Sequence, residues 1–271
     1  MENHQLSDLL NIAIIASLNA GKEILEVYSN ADLRIEYKAD NSPLTIADKN
    51  AHRSIIQILK STNIPVLSEE GAAIEYKERS SWPLFWLIDP LDGTKEFINK
   101  NGEFTVNIAL IENGVPILGV IFAPVLKKIY YASNNQSFLF EEINLANSEN
   151  EILVQIQQNS ISLPIQNQKE AFVVLASRSH LSDETNDYIE KLIAEKYPVE
   201  LLSIGSSLKL CVIAEGRADL YPRFSPTMEW DIAAGHAIVE ASGGSVLQVA
   251  NGKPLTYNKK DLLNPWFIVS K

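Results

Sequence analysis

The segment Trp86–Phe97, WLIDPLDGTKEF, places two aspartates three residues apart at the end of an apolar run. Because Pro90 favours an extended conformation for the residue before it, Asp89 is expected to end a buried strand. Asp92 and the following glycine then predict a turn, and Thr94 is a good N-cap for a helix. The two carboxylates either close a tight turn or hold a cation.

Other acidic residues occupy similar positions. Glu69 and Glu70 follow the short apolar strand PVLS, and Asp231 lies at the start of a predicted helix. Asp48 ends the pattern Thr-Ile-Ala-Asp, which resembles a capping box with aspartate in place of glutamate. Each acid alone is also compatible with a solvated loop charge or a helix cap, but their shared placement suggests that they meet in one cleft.

A cleft containing Glu69, Asp89, Asp92 and Asp231 would need protons or cations to relieve the repulsion. Two unit charges about 4 Å apart repel by about 4 kcal/mol at an effective dielectric constant of about 20. Carboxylate-rich ligation suits Mg²⁺, with Mn²⁺ as an alternative, and the four histidines are too scattered for a zinc motif. Two or more such ions serve hydrolytic phosphoryl transfer, in which one generates a hydroxide and another stabilises the leaving oxygen. Backbone N–H groups of Gly93-Thr94-Lys95, at a helix N-terminus, would bind phosphate.

Three blocks in order, SEEG, DPLDGT and EWDIAAGHAIVEASGG, resemble the lithium-sensitive, Mg²⁺-dependent phosphatase superfamily of inositol monophosphatase and fructose-1,6-bisphosphatase. The chain is more similar to the 3′(2′),5′-bisphosphate nucleotidase branch of the CysQ type. The segments DGTKEFI, NGEFTVNIALIENGVPILGVIFAP, SRSH, SIGSSLK and LYPRF carry this likeness. The resemblance implies removal of the 3′-phosphate from adenosine 3′,5′-bisphosphate to give AMP, with activity on the related phosphosulfate, in sulfur assimilation.

The resemblance also implies roles for individual residues. The metal ligands would be Glu69, Asp89, the Leu91 carbonyl, Asp92 and Asp231, with Glu70 holding a water on a further metal. Asp48 and Thr94 would orient and deprotonate the attacking water, and the Gly93 and Thr94 amides would bind the scissile phosphate. The nucleotide contacts would be His180, Ser206, Lys209 and Arg223. The substrate would also touch Glu69, Leu91, Asp92 and Asp231.

The second phosphate of such a substrate needs cationic or N–H donors, which an acidic cleft lacks. Lys209 and Arg223 could supply them, and Ser206-Ser207, at a helix start after Gly205, would make an anion site. The alternative is that both cations are solvated surface charges.

Hydrophobic periodicity predicts the elements that must position these residues. The first half favours helices at 4–29 and 46–60, strands at 65–68, 83–88 and 128–133, and a hairpin within 103–124 around Asn113-Gly114. Residues 141–169, rich in Asn and Gln, are expected to be a connection with a strand or two. Strand and helix then alternate through AFVVLAS, SDETNDYIEKLIAEKY, VELLS, SSLKLCVIAEGRA, DLYPRF and WDIAAGHAIVEASGG, and SVLQV and WFIVS close the chain as strands.

These patterns predict an α+β half followed by an α/β half. We expect a metal- and phosphate-binding lobe over residues 1–145 and a nucleotide-recognition lobe over residues 146–271. The resemblance adds the layer order, a layered α-β-α-β-α sandwich.

Composition limits the function classes. The 271 residues carry a net charge of −11, the opposite sign to that expected of a protein that binds nucleic-acid polymers. The apolar N-terminal stretch is too short and polar for a membrane span or a signal peptide. The single cysteine, Cys211, lies in an apolar context typical of a buried side chain and favours a reducing compartment. We therefore predict a cytoplasmic enzyme with a small-molecule nucleotide substrate. Peripheral contact with the cytoplasmic face of the inner membrane and the oligomeric state are left open.

Two rival functions are also left open. The first is a phosphomonoesterase acting on inositol phosphates or fructose bisphosphate, against which the Lys95-Glu96-Phe97 continuation argues. The second is a catalytically silent binder of Mg²⁺ or Ca²⁺, which would have no need of Thr94 and Asp48.

Overall fold

The computed structural model describes residues 3–30, 36–37, 43–165, 169–177, 182–195 and 198–271. The helices are α1 (Asn3–Tyr28), α2 (Ile46–Leu59), α3 (Tyr76–Arg79), α4 (Thr94–Ile98), α5 (Glu149–Asn159), α6 (Asp183–Glu195), α7 (Leu208–Ala214) and α8 (Glu229–Ala241), with a 3₁₀ turn at Lys60–Thr62.

The strands form three sheets. The short strands β1 (Glu36–Tyr37) and β2 (Pro43–Leu44) pair with each other. The first large sheet contains, in spatial order, β3 (Val66–Ser68), β4 (Leu84–Asp92), β5 (Thr105–Glu112), β6 (Val115–Ala123), β7 (Lys128–Ser133), β8 (Gln136–Phe140) and β9 (Ile161–Ser162). The second contains β11 (Val199–Ile204), β10 (Phe172–Ser177), β12 (Leu220–Arg223), β14 (Phe267–Ser270) and β13 (Ser245–Gln248), also in spatial order. The first sheet is antiparallel except between β3 and β4, whereas β10 runs parallel to both of its neighbours.

Strand β4 shows how the layers arise, because its side chains are buried on both faces. Trp86 and Ile88 lie in the core shared with α1 and α2. Phe85 and Leu87 lie in the core shared with α7, α8 and the inner face of the second sheet. Since successive side chains of a strand point to opposite faces, a continuous apolar run requires cover on both sides. The first sheet therefore lies between two helix layers.

Helix α6 covers the outer face of the second sheet, where Ile189 packs with Val174 and Leu220. The layers are thus α1/α2, first sheet, α7/α8, second sheet and α6, which confirms the predicted α-β-α-β-α sandwich. The Asn113-Gly114 hairpin is also confirmed, with φ of 51° and 79° at these residues.

Helix α8 packs closely against its neighbours. A Cβ on Gly119 of β6 would lie 2.2 Å from the Ala234 carbonyl oxygen of α8. On the opposite side, a Cβ on Gly235 would lie 2.7 Å from Leu210 Cβ of α7. Gly119 therefore allows α8 to approach the first sheet this closely, and Gly235 allows α7 and α8 to pack closely within the middle layer.

Residues 141–169 were predicted to be a connection with a strand or two, and the short strand β9 lies there, but the prediction missed helix α5. The Ser148 hydroxyl accepts the Glu151 N–H, and the Glu151 carboxylate accepts the Ser148 N–H at 2.8 Å. This capping box starts the helix, and Ile152 and Ile156 bury its inner face. The division of the chain near residue 145 stays a prediction, and the last strand of the first sheet, β9, lies beyond it.

Candidate active site

A cavity of about 310 Å³ lies between the end of β4 and α4 on one side and α7, β12 and α8 on the other. The predicted site residues that line it are Glu69, Asp89, Leu91, Asp92, Gly93, Thr94, Ser206, Lys209, Arg223 and Asp231. Residues predicted from both halves of the chain therefore meet in one place.

Glu69, Asp89 and Asp231 form an acidic cluster, in which one carboxylate oxygen of each lies within 4.8 Å of the others. The parallel pairing of β3 with β4 explains the first two, because Ser68 aligns with Ile88 and the residues that follow, Glu69 and Asp89, therefore lie side by side. Asp231 comes from the first turn of α8. Its Oδ2 accepts the Met228 N–H at 2.8 Å, which fixes the carboxylate at the helix start.

The cluster is electrostatically unfavourable without a cation. Burial, followed by the nearby Glu69 carboxylate, raises the pKa of Asp89 well above its usual range. Burial, together with Asp92 and Glu69, likewise raises the pKa of Asp231. A divalent cation would relieve both effects, and clustered carboxylates are the hard oxygen ligands that such ions prefer. The residues present therefore fit a metal site.

Asp92 is used differently from Asp89. Its Oδ2 accepts the Ser207 N–H at 2.5 Å, which joins the end of β4 to the start of α7. Burial raises the pKa of Asp92, while the Lys209 ammonium and the Ser207 N–H oppose the increase. The Ser206-Ser207 turn was expected to make an anion site, and the anionic group that its Ser207 N–H binds is the Asp92 carboxylate of the chain itself.

Strand β4 continues past Asp89 as far as Asp92, with an irregular register between them, so Asp89 does not end the strand. Thr94 is the first residue of α4 and not its N-cap. Gly93 takes the N-cap position with φ of 90°, and a Cβ there would lie 3.0 Å from Ser206 Cβ. Only glycine suits this left-handed, crowded position.

Asp48 and Thr94 lie side by side, as predicted. Asp48 is buried, and its Oδ2 accepts the Thr45 N–H at 2.7 Å and the Thr45 hydroxyl at 2.6 Å. Its Oδ1 accepts the Thr94 hydroxyl at 3.4 Å. The carboxylate therefore caps α2 with one oxygen and meets the cavity side chain with the other.

Lys209 and Arg223 are both buried, so the alternative of solvated surface charges is wrong. The Lys209 ammonium donates to the Ser206 carbonyl at 2.6 Å and to the Ile204 carbonyl at 3.2 Å. Burial lowers the pKa of Lys209 to about 8. Arg223 donates through Nη2 to the Pro226 carbonyl at 3.0 Å, and its buried Nε has no hydrogen-bond partner among the described residues.

Three predicted residues are not among the described residues of the cavity lining: Asp48, which meets the lining side chain of Thr94, Glu70 and His180. Glu70 is half-buried and lies outside both the acidic cluster and the lining residues. His180 falls outside the described residues. The lining also includes Glu96 and Tyr221, to which no role was given. Glu96 lies in DGTKEFI and Tyr221 in LYPRF, two of the segments that resemble the nucleotidase branch. This resemblance was the available sequence signal for them.

The profile of the Inositol monophosphatase family matches residues 5–266. The chain belongs to the inositol monophosphatase family. This family is metal-dependent, in agreement with the acidic cluster. Among the described residues, none of the helices combines the length with the apolar character that a membrane span requires.

Family relatives share most of the chain. It is 46% identical to the 3′(2′),5′-bisphosphate nucleotidase CysQ of Salmonella typhimurium over 93% of this chain and 95% of that protein. It is 44% identical to the same-named protein of Escherichia coli K12, with the same coverage. The crystal structure of CysQ from Bacteroides thetaiotaomicron is 50% identical and superposes with a TM-score of 0.87 over 96% of this chain and 95% of that one. An inositol monophosphatase of Thermotoga maritima, 24% identical, shares the fold with a TM-score of 0.74 over 97% of this chain and 92% of that one.

Proposed function

We propose that the chain is a divalent-metal-dependent 3′(2′),5′-bisphosphate nucleotidase that hydrolyses the 3′-phosphate of adenosine 3′,5′-bisphosphate, leaving AMP and phosphate. The related phosphosulfate is a second substrate. The observation that carries the proposal is the shared cavity, in which the acidic cluster faces the buried cations Lys209 and Arg223. The likeness to proteins named CysQ bisphosphate nucleotidases supports this choice of substrate.

The carboxylates of Glu69, Asp89, Asp92 and Asp231, with the Leu91 carbonyl, would hold two or more Mg²⁺ ions, and Mn²⁺ would suit the same oxygens. When bound, such ions polarise phosphoryl oxygens and lower the pKa of water to near neutrality. The placement of Glu70 outside the cluster supports at most a contact through water.

Asp48 and Thr94 supply the route for a proton. A hydroxyl donates one hydrogen bond and can accept two, so Thr94 Oγ1 can take a proton from water while giving its own to Asp48 Oδ1. The second Asp48 oxygen stays bonded to Thr45, which keeps the accepting oxygen directed at Thr94. The bonds between Asp48 and Thr45, at the start of α2, thus fix the direction in which Thr94 orients the attacking water.

The substrate phosphates would take opposite sides of the cavity. The scissile phosphate would lie at the Gly93 and Thr94 amides, next to the acidic cluster. The other phosphate would lie near Arg223, whose buried Nε is available as a donor among the described residues. Lys209 holds the Ser206 turn through its carbonyl and adds positive charge.

The direct test is phosphate release from adenosine 3′,5′-bisphosphate with Mg²⁺, with and without Li⁺, beside inositol 1-phosphate and fructose 1,6-bisphosphate. We expect a strong preference for the nucleotide and inhibition by Li⁺. Release only from inositol or sugar phosphate would show that the proposed substrate is wrong but that the metal-dependent phosphatase reaction is right. Metal binding without any release would instead support the silent binder.

A further inference from the structure

The stretch before Asp231, Pro226–Glu229, contains a buried carboxylate that lies outside the cavity lining. Glu229 is fully buried, with 0% exposure, at the first position of α8. An isolated charge in such a position would be strongly unfavourable, so its partners show what it holds in place.

Both carboxylate oxygens of Glu229 are bonded by one segment of chain. Oε2 accepts the Asn258 N–H at 2.6 Å. Oε1 accepts the Lys259 N–H at 3.0 Å and the Lys259 ammonium at 2.6 Å. We call residues 256–264 the clasp.

The clasp is also bonded to the backbone on both sides of Met228. The Glu229 N–H donates to the Leu262 carbonyl at 3.0 Å. The Asn264 N–H donates to the Thr227 carbonyl at 2.9 Å, and its side-chain amide donates to the Met228 carbonyl at 2.8 Å. Since the Met228 N–H holds the Asp231 carboxylate, the clasp fixes the residue that orients this member of the acidic cluster.

The part of the clasp that bonds Glu229 is also held by Arg79, a buried residue at the end of α3. Its guanidinium donates to Asn258 Oδ1 at 2.9 Å and to the Lys259 and Lys260 carbonyls at 2.6 and 2.9 Å. Asn258 returns a bond from its side-chain amide to the Arg79 carbonyl at 2.7 Å.

Arg79 lies in the segment of chain between Glu69 and Asp89, so the clasp ties this segment to the start of α8, which carries Asp231. We propose that Glu229 and Arg79 are positioning residues, which hold the clasp and thereby keep Asp231 within reach of Glu69 and Asp89. The inference rests on the proposed function only in requiring that the cluster bind a metal. Because the three carboxylates repel one another, a loosened Asp231 would move away from its partners and the cluster would lose affinity for the ion.

The test measures Mn²⁺ affinity by titration of the purified full chain, without nucleotide. Glu229→Gln should weaken Mn²⁺ binding about tenfold or more, the range seen when partners of metal ligands are removed. Lys259→Met leaves both N–H bonds to Glu229 in place and should cause a smaller loss. The control is Lys169→Met, which breaks the partly exposed Lys169–Asp219 ion pair outside the cavity lining and should leave the affinity unchanged.

Kinetics at saturating Mn²⁺ distinguish positioning from general damage. Excess metal should restore kcat of Glu229→Gln towards the wild-type value, with KM for the nucleotide unchanged. If Glu229→Gln does not fold, Lys259→Met and Arg79→Lys decide, and each should weaken Mn²⁺ binding.

Wild-type Mn²⁺ affinity in every folded variant would overturn the inference, as would a wild-type chain that binds no Mn²⁺. A wild-type chain that binds Mn²⁺ but does not hydrolyse the bisphosphate would refute the proposed function alone.

Discussion

The two sides of the cavity use their charged groups in different ways. On the first-sheet side, the carboxylates of Asp89 and Glu69 approach each other, and burial together with the Glu69 charge raises the pKa of Asp89. On the second-sheet side, Lys209 and Arg223 donate to the backbone carbonyls of Ser206 and Pro226. A cation on the first side would therefore relieve the repulsion between the carboxylates. The second side is already held in place by hydrogen bonds, and among the described residues the buried Arg223 Nε has no acceptor. Substitutions on the first side should accordingly lower the rate of phosphate hydrolysis, and substitutions on the second side should weaken binding of the nucleotide.

The largest effect is expected for Asp89→Asn, which removes the most buried carboxylate of the cluster. A bound metal contributes several kcal/mol of transition-state stabilisation, so kcat/KM should fall about a thousandfold or more. Steady-state kinetics across a Mg²⁺ series would measure it, with circular dichroism as the check on folding. Unchanged kinetics at limiting Mg²⁺ would refute the assignment of Asp89 as a ligand.

Thr94→Val should separate proton transfer from metal binding on the same side of the cavity. Loss of the hydroxyl removes the contact with Asp48, and we expect kcat to fall about a hundredfold, within the usual range for acid–base catalysis. Mn²⁺ affinity should stay unchanged because the Asp89 cluster is intact. Thr94→Ser, which keeps the hydroxyl, is the matched control and should recover most of the activity. A loss of metal affinity in Thr94→Val would contradict the division of roles.

Arg223→Met tests the second side. Hydrogen bonds to charged groups contribute about 1.5–3 kcal/mol, so KM for adenosine 3′,5′-bisphosphate should rise about 10–100-fold. For adenosine 3′-monophosphate, which lacks the other phosphate, KM should change little. Arg217→Met, which removes a guanidinium with 51% exposure from the same half of the chain, is the control. An equal rise for both substrates would show that Arg223 does not read the second phosphate.

The smallest effect concerns the pH dependence of stability in the metal-free chain. The folded-state pKa values of Asp89 and Asp231 lie above the unfolded value of about 4, so the folded state binds these protons more tightly. Their contribution to stability is therefore present at low pH and is lost as pH rises through the raised folded values. Thermal melts in EDTA should show Tm falling by a few degrees between about pH 5 and 8, since about 1 kcal/mol shifts Tm by about 2–4 °C in a chain of this size. Saturating Mg²⁺ should flatten the profile, and an equally steep profile with Mg²⁺ would count against the cluster as the cause.

The local part of this site could be predicted from sequence. Asp89, Asp92, Gly93 and Thr94 lie within six consecutive residues, so a strand, a turn and a helix place them together whatever the remainder does. The position of Asp231 at a helix start suggested that it joins them, but only the resemblance supported this contact, because no local rule brings residues so far apart in sequence together. The layer order of the fold came from the same source.

The remainder depended on partners far away in the chain. The helix start alone predicts that the Ser207 N–H binds an anionic group. It does not predict which one, because the partner, Asp92, lies 115 residues earlier in the chain. Glu229 gave no signal, because its bonds to the clasp exist only after α8 has packed. Helix α5 could have been found from Ser148 and Glu151, whose capping pattern was outweighed by the polar composition around it.

The close packing of α8 on β6 extends the constraint on the acidic cluster to a residue that never meets substrate. A methyl group at Gly119 would press on the Ala234 carbonyl, three residues after Asp231, and displace the helix that carries this ligand. A side chain at Gly119, in the interior of a strand, is therefore expected to disturb the metal site for reasons of space alone. The acidic cluster thus depends on a residue that has no chemical group of its own to contribute.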